Sequence, residues 1–143
     1  MAKTILVPVD VYEENAGAAA LALAKEYADA HDSKIVLLAV RELMPGYIGA
    51  HLPADFEEKA RSEFKNKLAA VADRGGLTGK AELVIREGAP ASTILDVAGE
   101  LSVDMIVIGS HDPGLADYFL GSVAARVVRH AHCSVLVVRD RAA

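Results

Sequence analysis

A chain of 143 residues, with 52% hydrophobic and 24% charged residues, is long enough for one packed domain, and this balance excludes an intrinsically disordered protein. The formal net charge of -5 argues against general attraction to nucleic acid or to an anionic membrane. Cys133 is the only cysteine, so no disulfide can form within the chain. The sequence contains no apolar stretch of about 18 residues, the length that a membrane-spanning helix needs. We therefore expect a single domain over residues 1–143 in a reducing, cytoplasmic compartment.

Short apolar runs rich in β-branched residues recur along the chain and predict five strands. The first two are almost continuously apolar, which is typical of strands buried on both faces, whereas the third is more polar and fits an edge position. Because these runs alternate with helical stretches, they predict an α/β fold in which a parallel sheet is covered by helices on both faces. The predicted strands are Thr4–Val9, Lys34–Val40, Ala81–Arg86, Asp104–Gly109 and Ser134–Arg139.

Four amphipathic stretches predict helices that begin near Glu13, Ala54, Pro90 and Ser122. On the second of these helices, charged residues at i,i+4 spacing predict two ion pairs along the exposed side. The expected pairs are Glu57 with Arg61 and Glu63 with Lys67. The apolar face expected for the first helix consists of Ala16, Ala20, Leu23, Ala24, Tyr27, Ala28 and His31.

In an open parallel sheet, ligands bind beyond the carboxyl ends of the strands, where the winding reverses. This rule selects the loops that follow Val9, Val40, Gly88 and Gly109. Asp10 directly follows the first strand, so its carboxylate is a candidate to accept hydrogen bonds from ribose hydroxyls or to help hold a metal ion. An ordinary solvated carboxylate or helix cap remains the alternative interpretation.

The stretch from Gly109 to Ser122 is the second candidate for a binding site. Gly109 permits close approach of the backbone to a ligand, and Gly121 with Ser122 stands at a helix N-terminus, where free N–H groups and the helix dipole favour an anion. Ser110 adds a second hydroxyl. Neither a G-x-G-x-x-G motif after the first strand nor a G-x-x-x-x-G-K-[ST] motif is present, which argues against a dinucleotide-binding domain and a P-loop NTPase.

Two other chemistries have weaker support in the sequence. His130, His132 and Cys133 stand close together, but a zinc site needs three or four ligands in matched geometry and no second cluster of cysteine and histidine is available. Ser110 next to His111 resembles a nucleophile with its base, yet neighbouring residues at a strand end usually point in different directions. We therefore predict neither a metal site nor a catalytic residue.

Four motifs in the correct order resemble the universal stress protein family over nearly the whole chain. The strongest is Leu120 to Arg139, which reads LGSVAARVVRHAHCSVLVVR and is similar to the ending of that family. Ile5 to Asp10 matches its opening I-L-V-P-x-D, and Asp104 to Ser110 matches its D-[LM]-I-V-[IM]-G segment. Gly88 to Pro90 fits the step before its third helix.

The resemblance implies a Rossmann-like fold, similar to that of adenine-nucleotide α-hydrolases, with a five-stranded parallel sheet in the order 3-2-1-4-5. It also implies a cytoplasmic homodimer paired through the last strand, Ser134 to Arg139, with no nucleic acid or membrane partner. The small bacterial subgroup that the chain resembles binds ATP, with or without Mg²⁺, as a stress-response module with at most slow hydrolysis.

Carried over by position, the resemblance also implies a nucleotide site. Pro8, Val9 and Val40 would line the adenine, and Asp10 would meet the ribose or phosphates. The other residues of the site would hold the ribose and the phosphates. The full set is Pro8, Val9, Asp10, Val40, Gly109, Ser110, His111, Gly121, Ser122 and Val123.

Two departures from the family pattern keep an alternative open. Nucleotide-binding members carry a middle glycine where this chain has Asp112, and the loop before Gly121 is one residue shorter than the pattern. A carboxylate there would repel a triphosphate unless it points away or meets a metal ion. The alternative is a nucleotide-free universal stress protein that acts through dimer and partner contacts.

Two other classes share the alternating pattern of strands and helices. A phosphoacceptor receiver domain would need an aspartate at the end of the third strand and a lysine after the fifth, but these strands end in Arg86-Glu87-Gly88 and Arg139-Asp140-Arg141. A flavodoxin-like electron carrier would need aromatic residues to stack on a flavin, and only 5% of the residues are aromatic.

Overall fold

The computed structural model describes residues 3–13, 17–42, 52–110 and 120–139, which form five strands and four helices. None of the helices in these ranges is both long enough and apolar enough to cross a membrane. In chain order the elements are β1 Thr4–Pro8, α1 Ala18–His31, β2 Lys34–Arg41, α2 Phe56–Arg74, β3 Ala81–Glu87, α3 Pro90–Glu100, β4 Met105–Gly109, α4 Ser122–His130 and β5 Ser134–Val138.

All five strands pair in parallel in the order β3-β2-β1-β4-β5, which confirms the predicted sheet. The central strands are apolar because both of their faces are covered: the interior positions of β1, β2 and β4 are buried. β3 carries exposed charged residues and lies at one edge, as its polar sequence predicts. β5 forms the other edge. The winding reverses between β1 and β4.

Two layers of apolar side chains hold the helices on the sheet. On one face, Phe64 and Leu68 of α2 and Ala24 of α1 pack against Leu37 of β2. On the other, Ile94 of α3 and Val127 of α4 belong to a separate cluster with residues of β1, β2 and β4. The helices thus cover both faces, and the carboxyl ends of all the strands lie along one edge.

The start and the inward face of α1 differ from the sequence prediction. The helix begins at Ala18 rather than near Glu13, because Gly17 takes a left-handed conformation (φ 80°) at its N-cap. Leu21 is buried, whereas Leu23, which was expected on the apolar face, is 37% exposed. Gly75 explains why Leu21 is the buried leucine: Gly75 lacks a side chain, so Leu21 fills the space against the end of α2. Ala16 lies outside the described residues.

The predicted ion pair between Glu57 and Arg61 does not form. Glu57 Oε2 instead accepts a hydrogen bond from Arg41 Nη2 at 2.8 Å, and Arg61 Nη2 donates to Glu87 Oε1 at 3.2 Å. These long side chains reach across to the strand ends, where the largely buried Arg41 requires negative partners. Lys67 of α2 places its ammonium 5.6 Å from the centre of the Tyr12 ring.

Candidate functional site

The predicted site residues that the structure describes all lie at the carboxyl edge of the sheet, around the point where the winding reverses. Pro8 ends β1, Gly109 ends β4 and Val40 is the penultimate residue of β2. Val9, Asp10 and Ser110 continue these strands, and Gly121, Ser122 and Val123 open α4. His111 and Asp112 lie outside the described residues.

A tight turn after β1 orients the Asp10 carboxylate. Val9 N–H donates to Leu38 O at 2.9 Å, which extends the pairing with β2 by one residue. Asp10 Oδ1 then accepts a hydrogen bond from the Tyr12 N–H at 2.9 Å. Such a local bond from an aspartate to the backbone two residues on is typical of an Asx turn. The carboxylate is exposed, and its second oxygen makes it a suitable acceptor for a hydroxyl or a ligand for a metal ion.

Packing fixes the other side of that turn. Val11 is buried, and the Tyr12 ring lies 5.8 Å from the ring of Phe64 on α2. The turn is therefore held both by the sheet and by α2, so Asp10 is presented at the strand end from a fixed backbone.

The end of β4 lies next to the start of α1. A β-carbon at Gly109 would lie 3.6 Å from Gly17 Cα, which is an ordinary van der Waals contact, so the two backbones are neighbours at the carboxyl edge of the sheet. Ser110, which follows, is the one buried polar residue among the described residues, and its N–H donates to Val138 O at 3.1 Å. The bond fixes the backbone of Ser110 and leaves its hydroxyl near the strand end.

The start of α4 has the features of an anion site. Gly121 is buried and extended (φ -61°, ψ 154°), and its carbonyl accepts the first helical bond, from Ala125 N–H at 2.8 Å. The N-cap residue is a glycine, so it has no side chain of its own with which to cap the first turn of α4. The N–H groups of a first helical turn, together with the helix dipole, favour phosphate or carboxylate. Ser122 is exposed, and Val123 packs against the core beneath.

A groove of about 420 Å³ runs from this edge along α1. Val9 and Asp10 are the predicted site residues among its described lining, and its walls are α1 and the end of α2. An ion pair between Lys25 Nζ and Asp29 Oδ2, 2.8 Å apart, lies on its α1 side. This groove was not predicted from the sequence. Its signal there is Gly75 at the end of α2, which lets the two helices approach.

Among the residues with shifted pKa values, Arg41 lies at the carboxyl end of β2, where its hydrogen bond to Glu57 raises the pKa of the guanidinium, whereas Asp104 and Cys133 lie away from the strand carboxyl ends. The N–H groups of Thr4 and Lys3 donate to Asp104 and lower its pKa, and burial raises the pKa of the Cys133 thiol. In residues 3–13, 17–42, 52–110 and 120–139, no three histidine, cysteine or acidic side chains converge as metal ligands would. The described part of the site therefore combines one carboxylate, one buried serine and one helix N-terminus, an arrangement suited to binding.

Comparisons with known proteins agree with this architecture. "Universal stress protein G" of Escherichia coli O157:H7 is 35% identical over 146 aligned positions that cover 97% of this chain and 100% of the relative. The structure of hypothetical protein MJ0577 superposes with a TM-score of 0.79 at 26% identity, covering 99% of this chain and 98% of the other. A universal stress protein solved in complex with cAMP shares the fold, with a TM-score of 0.67 at 24% identity and coverage of 98% of each chain. The model of the universal stress protein family matches residues 1–139. This chain belongs to the universal stress protein family.

Proposed function

We propose that this protein is an ATP-binding regulatory module of the stress response, with ATP bound at the carboxyl edge of the sheet between β1 and β4. The observation that supports the proposal is the strand order: Asp10 follows β1, Ser110 follows β4 and α4 begins after β4, on either side of the point where the winding reverses. Open α/β sheets bind their ligands at this point.

Each part of ATP has a matching group in this proposal. The apolar Pro8, Val9 and Val40 contact the adenine, and the Asp10 carboxylate accepts hydrogen bonds from the ribose hydroxyls. The phosphates extend toward the first turn of α4 at Gly121 and Ser122, where N–H groups and the dipole stabilise negative charge. Gly109, Ser110, His111 and Val123 complete the set.

A magnesium ion is compatible with the same groups. Mg²⁺ is usually held by one or two carboxylates together with substrate phosphates, and Asp10 is an exposed carboxylate at this edge. When bound, the ion would neutralise phosphate charge. Arg41, at this edge, is paired with Glu57 and Glu87, and no base among the described residues is positioned for phosphoryl transfer, so we expect binding with at most slow hydrolysis.

Nucleotide occupancy is expected to act through a homodimer. β5 is an edge strand whose outer backbone groups face no partner within the described sheet, and Leu136 on it is 37% exposed. Val128 of the neighbouring α4 is 45% exposed. Exposed apolar edge strands are normally covered, and a second copy paired through β5 would cover this one. The single cysteine and the net charge of -5 fit the expected cytoplasmic location.

The second candidate is a universal stress protein that works without nucleotide, through dimer and partner contacts alone. Asp112, which stands where nucleotide-binding members have a glycine, favours it.

The protein solved with cAMP shares the fold with this chain and supports a purine nucleotide as the first ligand to test.

The deciding experiment identifies small molecules released from the denatured, purified protein by mass spectrometry, followed by calorimetric titration with ATP and Mg²⁺. We expect co-purified adenine nucleotide or saturable binding. Asp10→Asn removes the charge but keeps an oxygen for the Tyr12 N–H, so it should fold normally and bind ATP about 10- to 100-fold more weakly, as for a lost charged hydrogen bond. Gly121→Val should also weaken binding, because it places a branched side chain at the start of α4, where the phosphates are proposed to lie.

Gly99→Ala serves as the control, because nothing lies within 4 Å of the added β-carbon and the position is on α3, far from the site in sequence and on another element. It should bind ATP like the wild type. If no nucleotide is released and no binding heat appears at millimolar ATP, the nucleotide-free candidate replaces the first.

A further inference from the structure

Arg41, the last residue of β2, joins three elements through its side chain. Its Nη2 donates to Glu57 Oε2 at 2.8 Å, and its Nη1 donates to Glu87 Oε1 at 3.1 Å. Glu57 lies in the first turn of α2, and Glu87 is the last residue of β3. Arg61 of α2 also donates to Glu87 Oε1, so the four residues form one network.

Arg41 is by far the least exposed member of this network. Its side chain is 12% exposed, against 58% for Glu57, 32% for Glu87 and 66% for Arg61. The planar guanidinium can donate to two carboxylates at once, which a lysine ammonium cannot do with the same fixed geometry. Because Arg41 is largely withdrawn from water, its two acidic partners hold it in one conformation more firmly than a pair of exposed charges would be held.

The backbone of Arg41 is fixed at the same point. Gly88 N–H donates to Arg41 O at 3.0 Å, directly after the register pair Arg41 and Glu87. Val40, the neighbour of Arg41, is thereby held in the sheet at the carboxyl edge. The network also ties the residue that ends β2 to the helical turn that begins α2, 16 positions later in the chain.

We propose that Arg41 is a positioning residue for the nucleotide site: it fixes the end of β2, and with it Val40, against α2 and β3, so that adenine meets a rigid wall. The inference rests on the proposed function, since Val40 is assigned to the adenine there. Arg41 itself does not touch the nucleotide. It acts by keeping the backbone at the site in the binding geometry, which lowers the ordering that the ligand must impose.

Arg41→Met tests this, because methionine keeps an apolar stem of similar length and removes both hydrogen bonds. Arg86→Met is the matched control. Arg86 pairs in register with Val40 and is also an ion-paired arginine, but its partner at 3.5 Å is Glu100 of α3. Both variants lose one positive charge near the site, so a difference between them reports the tie to α2.

We expect Arg41→Met to bind ATP roughly three- to tenfold more weakly, and Arg86→Met to bind like the wild type, a difference of about 0.6–1.4 kcal/mol at 25 °C. Arg41→Lys should weaken ATP binding about as much as Arg41→Met, because lysine keeps the positive charge but lacks the planar guanidinium that donates to two carboxylates. Glu57→Gln should add little to the loss in Arg41→Met, since both changes remove the same bond.

Hydrogen exchange gives a second readout. The Gly88 amide, which donates to Arg41 O, should exchange faster in Arg41→Met than in Arg86→Met. Equal ATP affinity in the two variants, or unchanged exchange at Gly88 with intact ATP binding, would overturn the inference while leaving the proposed function standing. If the wild-type protein binds no adenine nucleotide, the proposed function is refuted and the part of Arg41 in binding is refuted with it.

Discussion

Replacing Gly75 by alanine perturbs the closest packing between α1 and the end of α2. A β-carbon at this position would lie 2.5 Å from Leu21 Cδ2 and 3.1 Å from Leu21 Cγ. Nonbonded carbon atoms prefer separations of about 3.5–4.0 Å, so the shorter contact is too close by about 1 Å. Leu21 is only 4% exposed, and together with Gly75 it lines the groove beside α1. Either its side chain or the backbone of the two elements must therefore move.

Two effects of opposite sign determine the change in the free energy of unfolding. Gly75 has a φ of -83°, which alanine adopts without strain. Restricting the unfolded chain at such a position stabilises a protein by about 0.4–1 kcal/mol. Overpacking a filled core costs about 1–3 kcal/mol. We therefore expect a net loss of about 0.5–2 kcal/mol, which lowers the melting temperature of a domain of this size by about 2–6 °C.

A double-mutant cycle with Leu21→Ala isolates the contact. Leu21→Ala alone should cost about 2–5 kcal/mol, as for other buried leucines. The double variant should be more stable than the sum of the single changes by about 1 kcal/mol or more, because the clash is gone. Urea and thermal unfolding measure all four proteins.

Gly99→Ala is the control for the same substitution without a contact, since nothing lies within 4 Å of its added β-carbon. It lies in α3, so it should stabilise the protein by up to about 1 kcal/mol. Stability of Gly75→Ala equal to or above that of the wild type, or an additive cycle, would refute the packing argument.

Three further predictions follow from the fold. Backbone N–H groups lower the pKa of Asp104, so its contribution to stability is full above about pH 4, the unfolded value, and is lost as the pH falls through the lower folded pKa. Asp104→Asn should therefore make the free energy of unfolding in urea depend less on pH in this acid range. An unchanged pH dependence would contradict the assignment. Leu68→Ala, at a fully buried position, should cost about 2–5 kcal/mol in the same assay, and a loss below 1 kcal/mol would contradict its place in the core. Leu136→Glu on β5 should dissociate the proposed dimer in analytical ultracentrifugation. Leu83→Glu on the opposite edge strand, where the leucine is equally exposed at 37%, should leave the dimer intact. The same mass for both variants would place the dimer contact elsewhere.

The strands and their order could be predicted because burial on both faces leaves a strong sequence pattern. The almost continuous apolarity of β1, β2 and β4 and the polar alternation of β3 follow directly from their places in the sheet. The inward face of α1 could not be predicted as well. Leu21 and Leu23 are equally apolar, and the choice between them depends on Gly75, which is distant in sequence and meets α1 only in the folded chain.

The candidate site shows a similar division. The glycines and Asp10 at the strand ends could be found from the sequence, because backbone approach and helix N-termini need particular residue types. The network around Arg41 could not. Its charges at i,i+4 spacing on α2 predict pairs within the helix, yet Glu57 and Arg61 bond to β2 and β3 instead. Which partner a long charged side chain selects depends on tertiary burial, in this case that of the Arg41 guanidinium.

A titration of the ¹⁵N-labelled protein with ATP and Mg²⁺, followed through the amide resonances of assigned residues, tests whether ATP binds at the carboxyl edge of the sheet. Asp10 lines the groove beside α1 and also belongs to the proposed site between β1 and β4, so the pattern of shifts distinguishes the two places. The account predicts saturable shifts at Tyr12, Ser110 and Val123, at the carboxyl edge between β1 and β4, with little change at Lys25 and Arg74 in the groove beside α1. Shifts confined to Lys25 and Arg74, or none at millimolar ATP, would contradict it.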